Sequence, residues 1–293
     1  MQVISEKFGT NVIVTTCKTG QEFLLMSDIH FDNPKCKRDI LKKHLNEAKK
    51  RGALVAINGD FFCLMQGKYD PRRSKKDILP QHNVPNYLDA VINEAVEWWK
   101  PYADMLVFIG YGNHETAIIK NVETDPLGRF VEALNAKCGT NVLTGGYGGW
   151  WKLQVKRAEK SNGYDTFMVK YYHGTGGGGV VTKGVIQNNR MAVFTSNADV
   201  IWMGHVHEMY HHIDMVEALQ TISGTPMPRL KELHHVRTGA YKEEYGAGDF
   251  GFHVERGAPP KPIGCYAMKL ELKCSGLEGL DRRDIKATFT PIS

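Results

Sequence analysis

One stretch limits the fold more than any other: Val107-Phe108-Ile109-Gly110-Tyr111-Gly112-Asn113-His114-Glu115. An apolar run closes on glycines, and an amide, an imidazole and a carboxylate follow without a break. The run reads as a parallel strand buried on both faces, and the C-terminal edge of such strands is where α/β sheets place ligands. Taken alone it also reads as a plain turn, with Gly for backbone freedom and Asn as an Asx-turn former. Recurrence decides between the two. Further apolar runs end in Ser27-Asp28-Ile29-His30, in Asn58-Gly59-Asp60, in His173 ahead of Gly174-Thr175-Gly176-Gly177-Gly178-Gly179, and in Gly204-His205-Val206-His207.

Between these runs the chain alternates as a βαβ architecture does. Segments 11–16 and 22–27 read as strands around the turn Lys18-Thr19-Gly20. Residues 36–51 read as a helix with a solvated basic face and an apolar side of Ile40, Leu41, Leu45 and Ala48. A strand over 53–57, a helix over 87–99 and a helix over 126–137 follow, the last announced by Pro126 after Asp125. Beyond it, 141–144, 150–156, 166–172 and 199–203 read as strands, and 264–273 as a closing strand. Residues 66–86 form a polar, proline-punctuated insertion whose Arg72, Arg73, Lys75 and Lys76 are candidate contacts to a substrate phosphate. Residues 221–262 read as loop, in the manner of a lid over a site. His82 is expected at the surface. His211, His212, His234 and His235 lack the glycine-after-strand context and stand outside the candidate site. Without a repeat or flexible linker, residues 1–293 are expected to form a single α/β domain.

Composition adds limits rather than direction. No run of about 18 apolar residues occurs, so no membrane partner is expected. The N-terminal MQVISEKFGT lacks the basic and apolar parts of a signal peptide, which gives a cytoplasmic expectation. The six cysteines contain no CxxC pair, which argues against a zinc ribbon or a disulfide framework. A formal net charge of +5 is compatible with a polyanionic substrate and does not select one.

Asp28, His30, Asp60, Asn113, His114, His173, His205 and His207 together are carboxylates, an amide and imidazoles without a thiolate. Such a set suits borderline or hard divalent ions, and it is too large for one ion. A carboxylate shared by two ions roughly 3.5–4 Å apart is the geometry used for in-line displacement at phosphorus.

In this order, Asp28-x-His30, Gly59-Asp60, Gly112-Asn113-His114-Glu115, His173 and Gly204-His205-x-His207 resemble the five blocks of the calcineurin-like metallophosphoesterase superfamily. Arg237-Thr238-Gly239 and the glycines at 174–179 are more loosely similar to phage-type members. The resemblance implies a four-layer αββα sandwich of two mixed β-sheets flanked by helices. It implies two divalent ions, Mn²⁺ foremost, with Fe, Zn or Ni as alternatives. Asp28, His30 and His207 would hold the first, Asn113, His173 and His205 the second, and Asp60 would bridge them. A metal-bridging hydroxide would attack phosphorus, and His114, oriented by Glu115, would protonate the leaving oxygen. Cys63 stands where many members carry a second aspartate. The implied activity is phosphodiester hydrolysis on DNA, RNA or a nucleotide. A phosphomonoesterase acting on a small ester or phosphoprotein is the alternative, followed by a non-catalytic metal-binding scaffold.

Overall fold

The computed structural model describes residues 3–9, 11–64, 78–157, 163–222, 224–245, 254, 257–277 and 280–293. Arg72, Arg73, Lys75 and Lys76 lie outside the described residues. The strands are β1 (Ile4–Phe8), β2 (Val12–Lys18), β3 (Gln21–Met26), β4 (Leu54–Asn58), β5 (Leu106–Gly110), β6 (Leu143–Thr144) and β7 (Gly148–Lys156). They continue with β8 (Tyr164–Tyr172), β9 (Val200–Met203), β10 (Tyr210–Ile222), β11 (Thr225–Arg237), β12 (Cys265–Leu277) and β13 (Leu280–Ile292). The helices are α1 (Arg38–Arg51), α2 (Tyr87–Trp99), α3 (Asn113–Val122), α4 (Pro126–Cys138) and α5 (Val185–Val193).

Six strands form one sheet in the order β13-β12-β3-β4-β5-β6, and seven form the other in the order β1-β2-β7-β8-β9-β11-β10. The inner strands β3, β4, β5 and β6 run parallel, as do β8 and β9. Alternation along each strand sorts side chains between layers. Leu24 and Met26 of β3 pack with Leu41 and Leu45 of α1, Val91 and Ala95 of α2, and Phe130 of α4. Phe23 and Leu25 point the other way and meet Trp151, Val169 and Trp202 of the facing sheet. A third, smaller core joins Ile201, Met203 and Leu233 to Met191 of α5. Three cores separate four layers, and the expected αββα sandwich is the observed one.

Helix ends follow their sequence signals. Asp125 caps α4 by accepting from the Gly128 amide at 2.9 Å. In α1 the residues Leu41, His44, Leu45 and Ala48 are buried while Lys42, Lys43, Lys49, Lys50 and Arg51 face solvent.

Two expectations need correction. The segment 221–262 is not loop throughout, because β11 pairs with β10 in continuous register from Tyr210↔Arg237 to Ile222↔Thr225. Pro226 and Pro228 obscure the strand in the sequence. Spaced by two, they remove donors from one edge of it only, and β9 lines β11 only over His234–Arg237. His82 is not at the surface either. It is 1 % exposed, with Nε2 2.6 Å from Glu94 Oε2 on α2.

Candidate metal centre

The parallel strands deliver the candidate residues to one edge. Asp28 and His30 follow β3, Asp60 follows β4, and Asn113, His114 and Glu115 open α3 directly after β5. His173 follows β8, and His205 and His207 follow β9. The ends of two sheets thus meet face to face. Asn58 ties them together by donating from Nδ2 to the carbonyls of Tyr172 at 3.1 Å and Trp202 at 3.2 Å.

The backbone there is strained. Asp28, His30, Asp60, His205 and His207 all hold positive φ, between 49° and 72°. Each such non-glycine residue costs of order 1–3 kcal/mol and persists only where the surroundings enforce it. Strand alternation therefore does not set where the side chains of Asp28, His30, His205 and His207 point. The left-handed turns bring Asp28 and His30 together but send His205 and His207 to different partners.

Two groups result. Ligand atoms of Asp28, His30 and His207 lie within 4.8 Å of one another, and so do those of Asp60, His173 and His205. Asn113 Oδ1 joins the second group, 2.7 Å from His205 Nδ1 and 3.2 Å from His173 Nε2. The groups are adjacent: His173 Nε2 is 3.1 Å from Asp60 Oδ2 and 4.0 Å from Asp28 Oδ1. All seven candidate ligands converge.

The donor set fits divalent cations. His30 Nε2 faces His207 Nε2 at 3.4 Å, so at most one of these nitrogens can donate to the other, and among the described residues the buried His30 Nδ1 has no hydrogen-bond partner. Ionisation agrees. Against its burial, which would raise it, His173 and His114 hold Asp60 well below the carboxylate range. Burial alone would lower His173, yet the Asp60 and Asp28 carboxylates push it up to about 10. Burial and the charge of His114 depress His30. Two buried carboxylates held ionised beside a proton kept on His173 make a site that a cation can occupy in that proton's place.

A family model of calcineurin-like phosphoesterases matches residues 22–209, which run from β3 to just past His207. The chain belongs to the calcineurin-like phosphoesterase family. No curated protein matches it. Together with the two ligand groups, membership makes the protein a metal-dependent phosphoesterase.

The phosphoesterase motif glycines have steric reasons. Gly59 has φ +80°, and a Cβ on it would stand 2.8 Å from both His173 Cγ and the Tyr111 carbonyl oxygen. At Gly112, where φ is an ordinary −110°, a Cβ would press on Asp60, only 2.7 Å from its Cγ.

His114 lies at the mouth of the centre with Nε2 4.0 Å from Asp60 Oδ2, and its backbone amide donates to Asp60 Oδ1 at 3.0 Å. Its Nδ1 faces the carbonyl of Cys63, an obligate acceptor, which places the proton on Nδ1 and leaves Nε2 toward the site. Glu115 does not orient that ring. Its two oxygens accept from the Phe62 and Gly112 amides, both at 2.8 Å, and so clamp the Asp60 segment to the start of α3. Burial and the nearby Asp60 charge push Glu115 up to about 8, with those two amides opposing.

Several supporting residues carry no strand-end signal in the sequence. Asp32 accepts from the Cys63 and Leu64 amides and from Tyr87 Oη, fixing the segment whose carbonyl holds His114. The Cys63 thiol accepts from Asn33 Nδ2 at 3.3 Å, so the main chain at this position rather than its side chain serves the site. Arg237, fully buried, donates to the Gly204 carbonyl at 2.7 Å and to Asn188 and Gln187 of α5. It braces the loop that carries His205 and His207. Thr238 beside it binds Ser27 Oγ at 2.7 Å, immediately before Asp28.

Proposed function

We propose that this phosphoesterase hydrolyses phosphodiesters, with a nucleic acid or nucleotide as substrate class. Asp28, His30 and His207 would hold one divalent ion, Asn113, His173 and His205 would hold a second, and Asp60 would serve as a further ligand. The observation that carries the reading is the convergence of these seven side chains in two adjacent groups at the ends of parallel strands. When bound, divalent ions supply Lewis-acid charge to a phosphoryl oxygen and lower the pKa of water.

The chain's own residues do the rest. The Asp60 carboxylate keeps its place through the His114 amide, and Glu115 locks the two segments around it. As an imidazolium, His114 gives its Nε2 proton to the leaving oxygen and returns to the neutral ring, whose Nδ1–H stays on the Cys63 carbonyl. Diester preference is supported by charge. A monoester dianion calls for a dedicated cation besides the metals, whereas a diester carries one negative charge. Three cations near the site are committed elsewhere: Lys242 to Glu244, Lys261 to Glu208, and Arg237 to the Gly204 carbonyl.

The test compares a chromogenic diester with its monoester, using metal-stripped protein reloaded with Mn²⁺. A higher kcat/KM on the diester supports the reading, and a higher value on the monoester makes the protein a phosphomonoesterase instead.

A further inference from the structure

The β10–β11 ribbon carries a second set of ligand-type side chains, away from the strand-end centre. His212 and His235 are directly paired across the two strands, and Asp214 lies two residues beyond His212 on the same face. Ligand atoms of the three lie within 4.8 Å of one another. Asp214 Oδ2 is 3.1 Å from His235 Nε2, and the two imidazole rings lie 4.4 Å apart at 7°.

His235 is the telling residue. It is fully buried and its strand is flanked by β9 and β10; Nε2 meets only the Asp214 carboxylate, and among the described residues Nδ1 has no hydrogen-bond partner. A buried imidazole whose one polar neighbour is an exposed carboxylate calls for a reason. The other two residues are accessible: His212 is half-buried and Asp214 is exposed, so an ion can reach the group from solvent.

We infer that His212, Asp214 and His235 form a separate binding site for a single first-row divalent ion of the zinc type. Two imidazoles and one carboxylate, with a position left for water, is a ligand set that Zn²⁺ accepts, and no thiolate is needed. Around a tetrahedral ion with bonds of about 2.0–2.1 Å, ligand atoms stand roughly 3.4 Å apart. Turning the half-buried His212 ring out of its stack brings both imidazole lone pairs toward that spacing. The ion clasps the edge strand β10 to β11 at the point where the ribbon leaves the sheet. Tyr210, stacked on His212 at 5.7 Å, donates to Asn188, the residue that also receives Arg237. The clasp is therefore linked, through Arg237, to the loop carrying His205 and His207.

The site is tested on full-length protein by equilibrium dialysis against Zn²⁺. Each of His212→Gln and Asp214→Asn, both changed at accessible positions, is expected to bind one ion fewer per chain than the parent while keeping its phosphoesterase activity. In a second arm, Asp60→Asn/His205→Ala protein, with its strand-end centre disabled, is titrated with Zn²⁺ while imidazole resonances are followed. Shifts of His212 and His235 are expected there, whether or not the strand-end centre is a phosphodiesterase. Equal ion counts for parent and variants, or imidazole resonances of His212 and His235 that stay fixed at saturating Zn²⁺, would overturn the assignment.

Discussion

Gly112→Ala isolates geometry from chemistry. Its φ of −110° and ψ of −173° suit alanine, so the backbone itself bears no penalty. The new Cβ would stand 2.7 Å from Asp60 Cγ and closer still to the Asp60 Oδ1 and amide nitrogen. Restoring van der Waals contact moves the Asp60 carboxylate by roughly 1 Å, and a displacement of that size at a reacting centre costs on the order of 100-fold in rate. The Oδ1 that accepts from the His114 amide is the atom pushed, so the two groups lose register together. Stability should fall by only about 1–3 kcal/mol, the usual cost of overpacking one methyl group. The assay is diester hydrolysis at saturating Mn²⁺, with bound metal measured on the same samples and folding followed by thermal denaturation. A folded variant with unchanged kcat and unchanged metal content would refute the placement of Asp60 at the heart of the site.

Other outcomes follow from the same geometry. If, as proposed, the ring gives a proton and is not a metal ligand, His114→Ala should lower kcat by about 10²–10⁴-fold with bound metal unchanged; metal analysis beside steady-state kinetics checks both halves. Asp32→Asn gives up charge-assisted bonds to the Cys63 and Leu64 amides, so kcat should drop by roughly tenfold or more with KM and metal unchanged. Loss of metal in that variant would count against a purely positioning role. His173, raised to about 10 without metal, binds a proton that an incoming ion must displace. Near pH 8, calorimetry in buffers of different ionisation enthalpy should register proton release on metal uptake, and affinity should rise with pH. The same raised value means that the His173 contribution to metal-free stability is complete below its unfolded value of about 6.5 and fades as pH climbs toward 10. A metal-free protein that gains stability from His173 over that window, judged against His173→Gln, would contradict the sign.

The legible parts of the sequence were those where local pattern and tertiary role coincide. Apolar runs such as Val107–Gly110 and Val200–Met203 are buried strands, and the polar groups that end them have no use other than the edge they reach. The αββα layering was implied by the resemblance of the polar blocks to the calcineurin-like family rather than by the runs themselves. What stayed hidden depends on partners far along the chain. Asp32 meets Cys63 and Leu64, Asn58 meets Tyr172 and Trp202, and Arg237 meets Gly204, none of which any local period announces. His82 looks like any loop histidine until Glu94 of α2 lies against it. Pro226 and Pro228 masked β11, and His212 and His235 acquire meaning only through the register of the hairpin. The split of His205 and His207 between two groups comes from left-handed turns that strand alternation does not anticipate.

In the proposed mechanism, seven strand-end side chains hold the ions on which phosphodiester hydrolysis depends. Its most direct test follows diester hydrolysis while Mn²⁺ is added stepwise to metal-stripped protein, beside Asp60→Ala as control. The expected result is no activity at the start, a rise to a plateau as the centre fills, and no comparable rise in the control. Full hydrolysis by the parent protein in excess chelator, or a control that matches the parent at every step, would contradict it.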